Sequence, residues 1–247
     1  MTTMAPWLLL DVGNTAIKWR FADEDGLLES GGVAANLSAL REALRDVAWQ
    51  TSAVSSVATD EFNASLRDVL ETPHAAPMWH ATADARCGDL INAYPKPQQL
   101  GVDRWLAMLA ARAGNRGPVC VIDAGTAITI DLVSASGQHE GGYILPGVEL
   151  MRRALTNETG RIQVPELASP TTQAGADSVA CVSAGIWHAA LGGVQSVLAE
   201  HPDHAPLLTG GSADALLELG LNAESRPDLV LEGLRLWLRH KLDDRVS

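Results

Sequence analysis

The chain has 247 residues, 47% of them hydrophobic and 19% charged, enough to bury a substantial core as one large domain or as two of roughly 100 to 120 residues. No uninterrupted apolar window reaches about 18 residues, so a membrane span is not expected. Eighteen basic against thirty acidic residues leave a net charge of −12, which disfavours a nonspecific grip on nucleic acid or on an anionic membrane. Any anionic ligand must therefore be held locally.

The opening residues MTTMAP carry no basic segment, so no signal peptide is read and a cytoplasmic location is expected. Residues 8–19, LLLDVGNTAIKW, follow. An apolar run ends on Asp11, turns through Gly13, Asn14 and Thr15, and resumes with alternation, which predicts a hairpin with Ile17, Trp19 and Phe21 inward and Lys18 and Arg20 outward. Leu37, Leu40, Leu44 and Val47 predict a helix behind an Asn36 cap, and Phe62, Leu66, Val69 and Leu70 a second behind Thr59. Between them SAVSSVA reads as a short buried strand. GVDRWLAMLAARAG, residues 101–114, predicts a helix stopped by Gly114.

The hairpin then recurs. VCVIDAGTAITID, residues 119–131, places Asp123 and Gly125 where Asp11 and Gly13 stood, 112 residues earlier. Such a duplication predicts two domains of similar topology, 1–115 and 116–247, with the boundary near AGNRGP, residues 113–118. In the second half residues 178–199 read as a long helix, PLLTGGSADALL (206–217) as strand, Gly-Gly turn and helix start, and LVLEGLRLWLRHKL as a C-terminal amphipathic helix. Alternating helices and strands in each half give an α/β fold.

Gly and small polar residues in a tight turn expose backbone N–H groups and hydroxyls suited to phosphate oxygens, and a preceding Asp can hold Mg²⁺ or its waters. An ordinary structural hairpin uses the same residue types, but the duplicated carboxylate at a strand end favours phosphate binding. No P-loop, G-x-G-x-x-G, H-E-x-x-H or G-x-S-x-G occurs. His201 and His204 form an H-x-x-H that reads as a solvated loop, and the odd trio Cys87, Cys120 and Cys181 as buried thiols.

DVGNTAIK at 11–18, AYPKPQQLGVDRW at 93–105, DAGTAITID at 123–131 and GGYILPG at 141–147 together resemble the type III pantothenate kinases of the acetate and sugar kinase, Hsp70 and actin superfamily. The resemblance implies two ribonuclease-H-like domains of similar topology facing across a nucleotide cleft. It implies a homodimer that uses ATP, Mg²⁺ and a monovalent cation (K⁺ or NH₄⁺) to phosphorylate pantothenate at the start of coenzyme A biosynthesis, with neither nucleic acid nor membrane as partner.

By position, Asp103 matches the catalytic base, and Tyr94, Gly101, Val102, Asp103, Arg104 and Ser178 the pantothenate contacts. Asp11, Val12, Gly13, Asn14, Thr15, Ala16, Ile17 and Lys18 match the first phosphate site, Gly125 and Thr126 the second, and Asp123 the monovalent-cation ligand. Lys18 also reads as a solvated strand lysine. At 177–178 the sequence has Asp-Ser where the family usually carries Asn-Thr. The helix from 178, with Trp187 and Val194, is the implied dimer interface, although a buried core helix has the same composition. A nucleotide-binding regulator of the same fold without turnover, or another small-molecule kinase on this scaffold, is the alternative reading.

Overall fold

A computed structural model describes residues 6–13, 15–70, 77–158, 164, 166–167 and 169–246, and in it the apolar runs become two five-stranded sheets. The chain divides into two compact units: Met1–Gly114 together with Asp228–Ser247, and Asn115–Pro227. The first contains β1 (Trp7–Val12), β2 (Ile17–Ala22), β3 (Leu27–Ala34), α1 (Leu37–Ala43), β4 (Thr51–Ser56), α2 (Asp60–Leu70), β5 (Met78–His80), the short hairpin β6 (Arg86–Cys87) and β7 (Leu90–Ile91), and α3 (Val102–Gly114). The second contains β8 (Val119–Ala124), β9 (Ala127–Val133), β10 (His139–Pro146), α4 (Val148–Glu158), α5 (Ser178–Glu200), β11 (Ala205–Thr209), α6 (Ala213–Glu218) and β12 (Glu224–Ser225). The last helix, α7 (Leu229–Val246), belongs to the first unit.

The two sheets share one topology. Their strand orders are β3-β2-β1-β4-β5 and β10-β9-β8-β11-β12. In each, the central strand is antiparallel to the partner that follows it and parallel to the one reached by a crossover. This is the arrangement of two ribonuclease-H-like domains, and the duplicated Asp-Gly stretch occupies the same sheet position in both.

In the first unit Leu8, Leu10 and Val12 of β1 join Ile17 and Phe21 of β2 against Leu40 of α1 and Leu66 and Leu70 of α2. Each fully buried leucine contributes about 1.5–3 kcal/mol to such a core. Asn36 caps α1 by accepting from the Ala39 amide at 2.9 Å, and Thr59 caps α2 by accepting from Phe62 at 3.3 Å. α1 stops at Ala43, leaving Val47, expected on its apolar face, exposed outside the helix.

Lys18 and Arg20, expected to point into water, lie on the opposite sheet face. That face is covered: Trp7, Leu9 and Ala53 are buried, and α7 packs on β1 and β4. Arg20 Nε accordingly donates to Asp228 Oδ2 at 3.0 Å, just ahead of α7. The C-terminal helix thus completes the first unit, and the expected division 1–115 and 116–247 is corrected to that extent. Its amphipathic pattern revealed a buried face but could not name the sheet that face would meet.

In the second unit α5 lays Ile186, Trp187, Ala190, Leu191 and Val194 on Cys120, Ile122, Ile128 and Ile130 of β8 and β9. Although α5 is long and apolar enough by composition to cross a membrane, this face is the core of its own unit. Trp187 and Val194 are therefore core residues, and their expected place in a dimer interface is corrected. Cys87 and Cys120 are buried free thiols, pushed up to about 11 and about 12 chiefly by burial. Cys181 is also free but exposed on α5, against expectation. His204 Nε2 lies 3.1 Å from Glu140 Oε2, and no group of three or more His, Cys, Asp or Glu among the described residues is placed to hold a metal.

α3 and α7 approach most closely at Gly233, where an added Cβ would strike the Leu106 carbonyl. Gly→Ala in an open helix gains about 1 kcal/mol. Here the backbone contact reverses the sign, and Gly233→Ala is expected to destabilise the protein by about 1–3 kcal/mol, seen as a lower urea midpoint at unchanged slope.

Candidate active site

The residues singled out in the sequence fall mainly into three groups, each described within one unit. At the tip of β1, Asp11 stands in register with Lys18 on β2 and Ser55 on β4, so the three side chains share one sheet face. Ser55 is buried, and its hydroxyl has no hydrogen-bond partner among the described residues. A buried polar atom in that state is costly, and it lies beside the strand's only carboxylate. The turn 13–16 is closed by Gly13 N–H donating to Ala16 C=O at 3.1 Å, with Gly13 and Thr15 exposed, Ala16 and Lys18 half-buried, and Val12 and Ile17 in the core. Asn14 lies outside the described residues.

The second hairpin is tighter. Gly125 and Thr126 alone join β8 to β9, and Gly125 N–H donates to Ala127 C=O at 3.0 Å. Gly147, which follows β10, donates to Thr126 C=O at 3.0 Å, and a Cβ on it would collide with the Gly125 and Thr126 carbonyls. Asp123 is paired with Thr209 across β8 and β11. Directly after Thr209, Gly210 takes φ +99°, and a Cβ there would run into Asp123 Oδ1 and the Ala124 backbone. Ser212 N–H then donates to Ala124 C=O at 2.9 Å. Glycine at 210 is required twice over, by its left-handed φ and by the close approach of a carboxylate. Gly147 and Gly210 were visible only as motif letters, because their reason is a contact with a distant strand tip.

The third group surrounds the start of α3. Trp105 N–H donates to Gly101 C=O at 3.1 Å, which opens the helix behind Gly101. Val102 and Asp103 form its half-buried first turn, where a carboxylate is favoured by the helix dipole. Asp103 Oδ1 accepts from the Arg104 amide at 2.8 Å. A Cβ on Gly101 would stand 2.6 Å from that same oxygen, so glycine leaves the carboxylate its place. Arg104 is only 7% exposed. Its Nη1 donates to the Tyr94 hydroxyl at 3.1 Å, and its guanidinium carbon lies 5.9 Å from the Tyr94 ring centre. A carboxylate able to take a proton and a guanidinium able to pair with an anion thus occupy consecutive residues.

Ser178 is the exposed first residue of α5. Asp177 rather than Ser178 caps the helix, accepting from Ala180 N–H at 2.9 Å. The Ser178 hydroxyl is thereby left out of the cap.

Paired ribonuclease-H-like units with a carboxylate and glycine turn at each central strand define the acetate and sugar kinase, Hsp70 and actin class. Solved structures share the fold. A protein described as a Baf family transcriptional activator from Campylobacter jejuni superposes with a TM-score of 0.62 at 20% identity, covering 96% of this chain and 99% of that one. One described as a 2-dehydro-3-deoxygalactonokinase from Sinorhizobium meliloti gives 0.60 at 14% identity, covering 94% and 98%.

Sequence similarity is narrower. The type III pantothenate kinase family pattern matches residues 7–200. Type III pantothenate kinases of Marinobacter nauticus and Halorhodospira halophila are 37% and 36% identical over 236 and 251 residues, covering 92% and 95% of this chain and 96% and 98% of theirs. The chain belongs to the type III pantothenate kinase family. It is a kinase that phosphorylates pantothenate with ATP, the step that opens coenzyme A biosynthesis.

Gly210→Ala is expected to displace Asp123 and weaken ATP binding about tenfold by calorimetry, since both the φ and the contact oppose a side chain. Gly211→Ala, with open space around it, should change affinity less than about twofold.

Proposed function

We propose that Asp103 is the general base of pantothenate phosphorylation. The carrying observation is the pairing at the start of α3, where a half-buried carboxylate is followed by a guanidinium seated on Tyr94. Asp103 takes the proton of the primary hydroxyl as its oxygen attacks the terminal phosphorus of ATP and the bond to ADP breaks. Arg104 and Tyr94 hold the acceptor, the guanidinium facing the pantothenate carboxylate as a bidentate fork that Lys could not reproduce. Gly101 and Val102 shape the same pocket, and Ser178, whose hydroxyl its helix cap does not use, reaches toward the pantothenate of the partner subunit.

Asp11, Gly13, Asn14, Thr15 and Lys18 hold the ATP phosphates from one hairpin, with Val12, Ala16 and Ile17 as its frame. Gly125 and Thr126 hold them from the other. The orphaned Ser55 hydroxyl beside Asp11 suits a hydrated Mg²⁺, for which a carboxylate and waters are the usual partners. The crowding of Asp123 against Gly210 leaves a hard oxygen at a fixed place, able to coordinate K⁺ or to accept a hydrogen bond from NH₄⁺. When bound, these cations neutralise charge on the polyphosphate. Free thiols on all three cysteines agree with a cytoplasmic location.

The working unit in this reading is a homodimer. α4 and α5 line an apolar groove of about 640 Å³ that includes Leu150, Met151, Leu155 and Val182, and Leu150 and Leu155 are exposed there. Exposed apolar surface of that kind marks a protein interface.

Asp103→Asn should lower kcat by about 10²- to 10⁴-fold while the KM for pantothenate changes less than about threefold, read from ADP release in potassium, ammonium and sodium buffers. Wild-type turnover should require pantothenate and fall in sodium. A kcat within about tenfold of wild type would remove Asp103 from the role of base. Leu150→Asp combined with Leu155→Asp should convert a dimer to a monomer in sedimentation, and a monomeric wild-type protein would refute the proposed assembly.

A further inference from the structure

The loop that carries Tyr94 is not held by Tyr94 itself. Asn92, which no motif singled out, sits half-buried just after β7 and bonds to four residues, Asp84 and Ala85 before it and Tyr94 and Pro97 after it. Its Oδ1 accepts from the Tyr94 amide at 2.9 Å, a side-chain turn of the i to i+2 kind. Its Nδ2 donates to Asp84 C=O at 3.2 Å and reaches Pro97 C=O at 3.5 Å, on the 3₁₀ turn Pro97–Gln99 that leads into Gly101. Its own amide donates to Ala85 C=O at 3.0 Å. One amide side chain therefore ties residues 94 and 97 of the loop to Asp84.

The anchor of that network is also fixed. Asp84 Oδ2 accepts from Trp237 Nε1 at 3.2 Å and lies 3.1 Å from Lys241 Nζ, both on α7. Asp89, in the turn of the β6–β7 hairpin, pairs at 2.8 Å with the buried Arg112 of α3. The segment before Tyr94 is thus braced against both helices that cover the sheet, and Tyr94 in turn meets Arg104 on α3. We infer that Asn92 is a positioning residue for the acceptor: by fixing the backbone of Tyr94 it sets where the Tyr94–Arg104 pair meets pantothenate. This rests on the assignment of Tyr94 and Arg104 to the acceptor site.

Such a residue acts on acceptor binding and spares the nucleotide. Asn92→Ala should raise the KM for pantothenate about tenfold, leave the KM for ATP within about twofold, and lower kcat less than about threefold. Asn92→Ser keeps a hydroxyl that can close the same turn on the Tyr94 amide and loses the two carbonyl ties. It should recover part of the loss. Tyr94→Ala removes the group through which Asn92 acts, so Asn92→Ala added to it should cause less than about twofold further change.

The outcomes separate cleanly. An unchanged pantothenate KM in Asn92→Ala, with Tyr94→Ala impaired, overturns the positioning role. Additive effects in the double variant overturn the route through Tyr94, as would an equal rise in both KM values, the mark of a general loss of structure. If Tyr94→Ala and Arg104→Ala both leave the pantothenate KM unchanged, the acceptor site is elsewhere and the underlying assignment fails.

Discussion

Burial of both faces of the two central strands is the constraint on which the arrangement rests. In β1 and β8 nearly every side chain is enclosed, whichever way it points. A strand covered on both sides can carry charge only where the cover ends, because an ionised carboxylate inside would lack donors. Asp11 and Asp123 are each the next-to-last residue of their strand and the one position in it that is not fully buried. The turn that follows then needs residues small enough to bring backbone amides and hydroxyls up to the same point. In β1 and β8 the charged group is thus confined to the end of the strand by the same packing that stabilises the fold.

The acceptor end is governed by a different economy of contacts. Asp103 and Arg104 belong to a helix whose remaining residues are almost all enclosed, so α3 cannot tilt without disturbing the core. The loop bearing Tyr94 has no such packing. It contains exposed residues on either side of Tyr94 and is held mainly by directed hydrogen bonds. A well-packed helix therefore carries Asp103 and Arg104, while a polar network holds Tyr94 beside them. This division matches the general pattern in which specificity sits on loops placed by a fixed scaffold.

Much of this was legible from the chain. Period-two and period-four spacing identified the hairpins and helices, and the recurrence of Asp-x-Gly exposed the duplication of two sheets whose strand orders match. The two tips are not copies in detail: four residues turn the first hairpin and two the second. What escaped the sequence depends on distant partners. Arg20 reads as a solvated strand residue until Asp228, 208 positions away, is placed beside it. Trp187 and Val194 are apolar on an apolar helix, and composition alone does not say which side meets the sheet. Asn92 looks like any polar loop residue because its partners are backbone carbonyls, which no side-chain pattern records.

The return of α7 to the first unit makes that unit discontinuous, with residues 115–227 inserted before its final helix. During synthesis the N-terminal sheet leaves the ribosome early, yet Trp7, Leu9 and Ala53 wait for their cover until the chain's last segment emerges. The inserted unit is continuous and has all its strands available before then. Order of assembly is thus inverted relative to order of translation: the half that is made first is finished last. Loss of a few C-terminal turns would injure the N-terminal sheet and leave the core of the inserted unit intact.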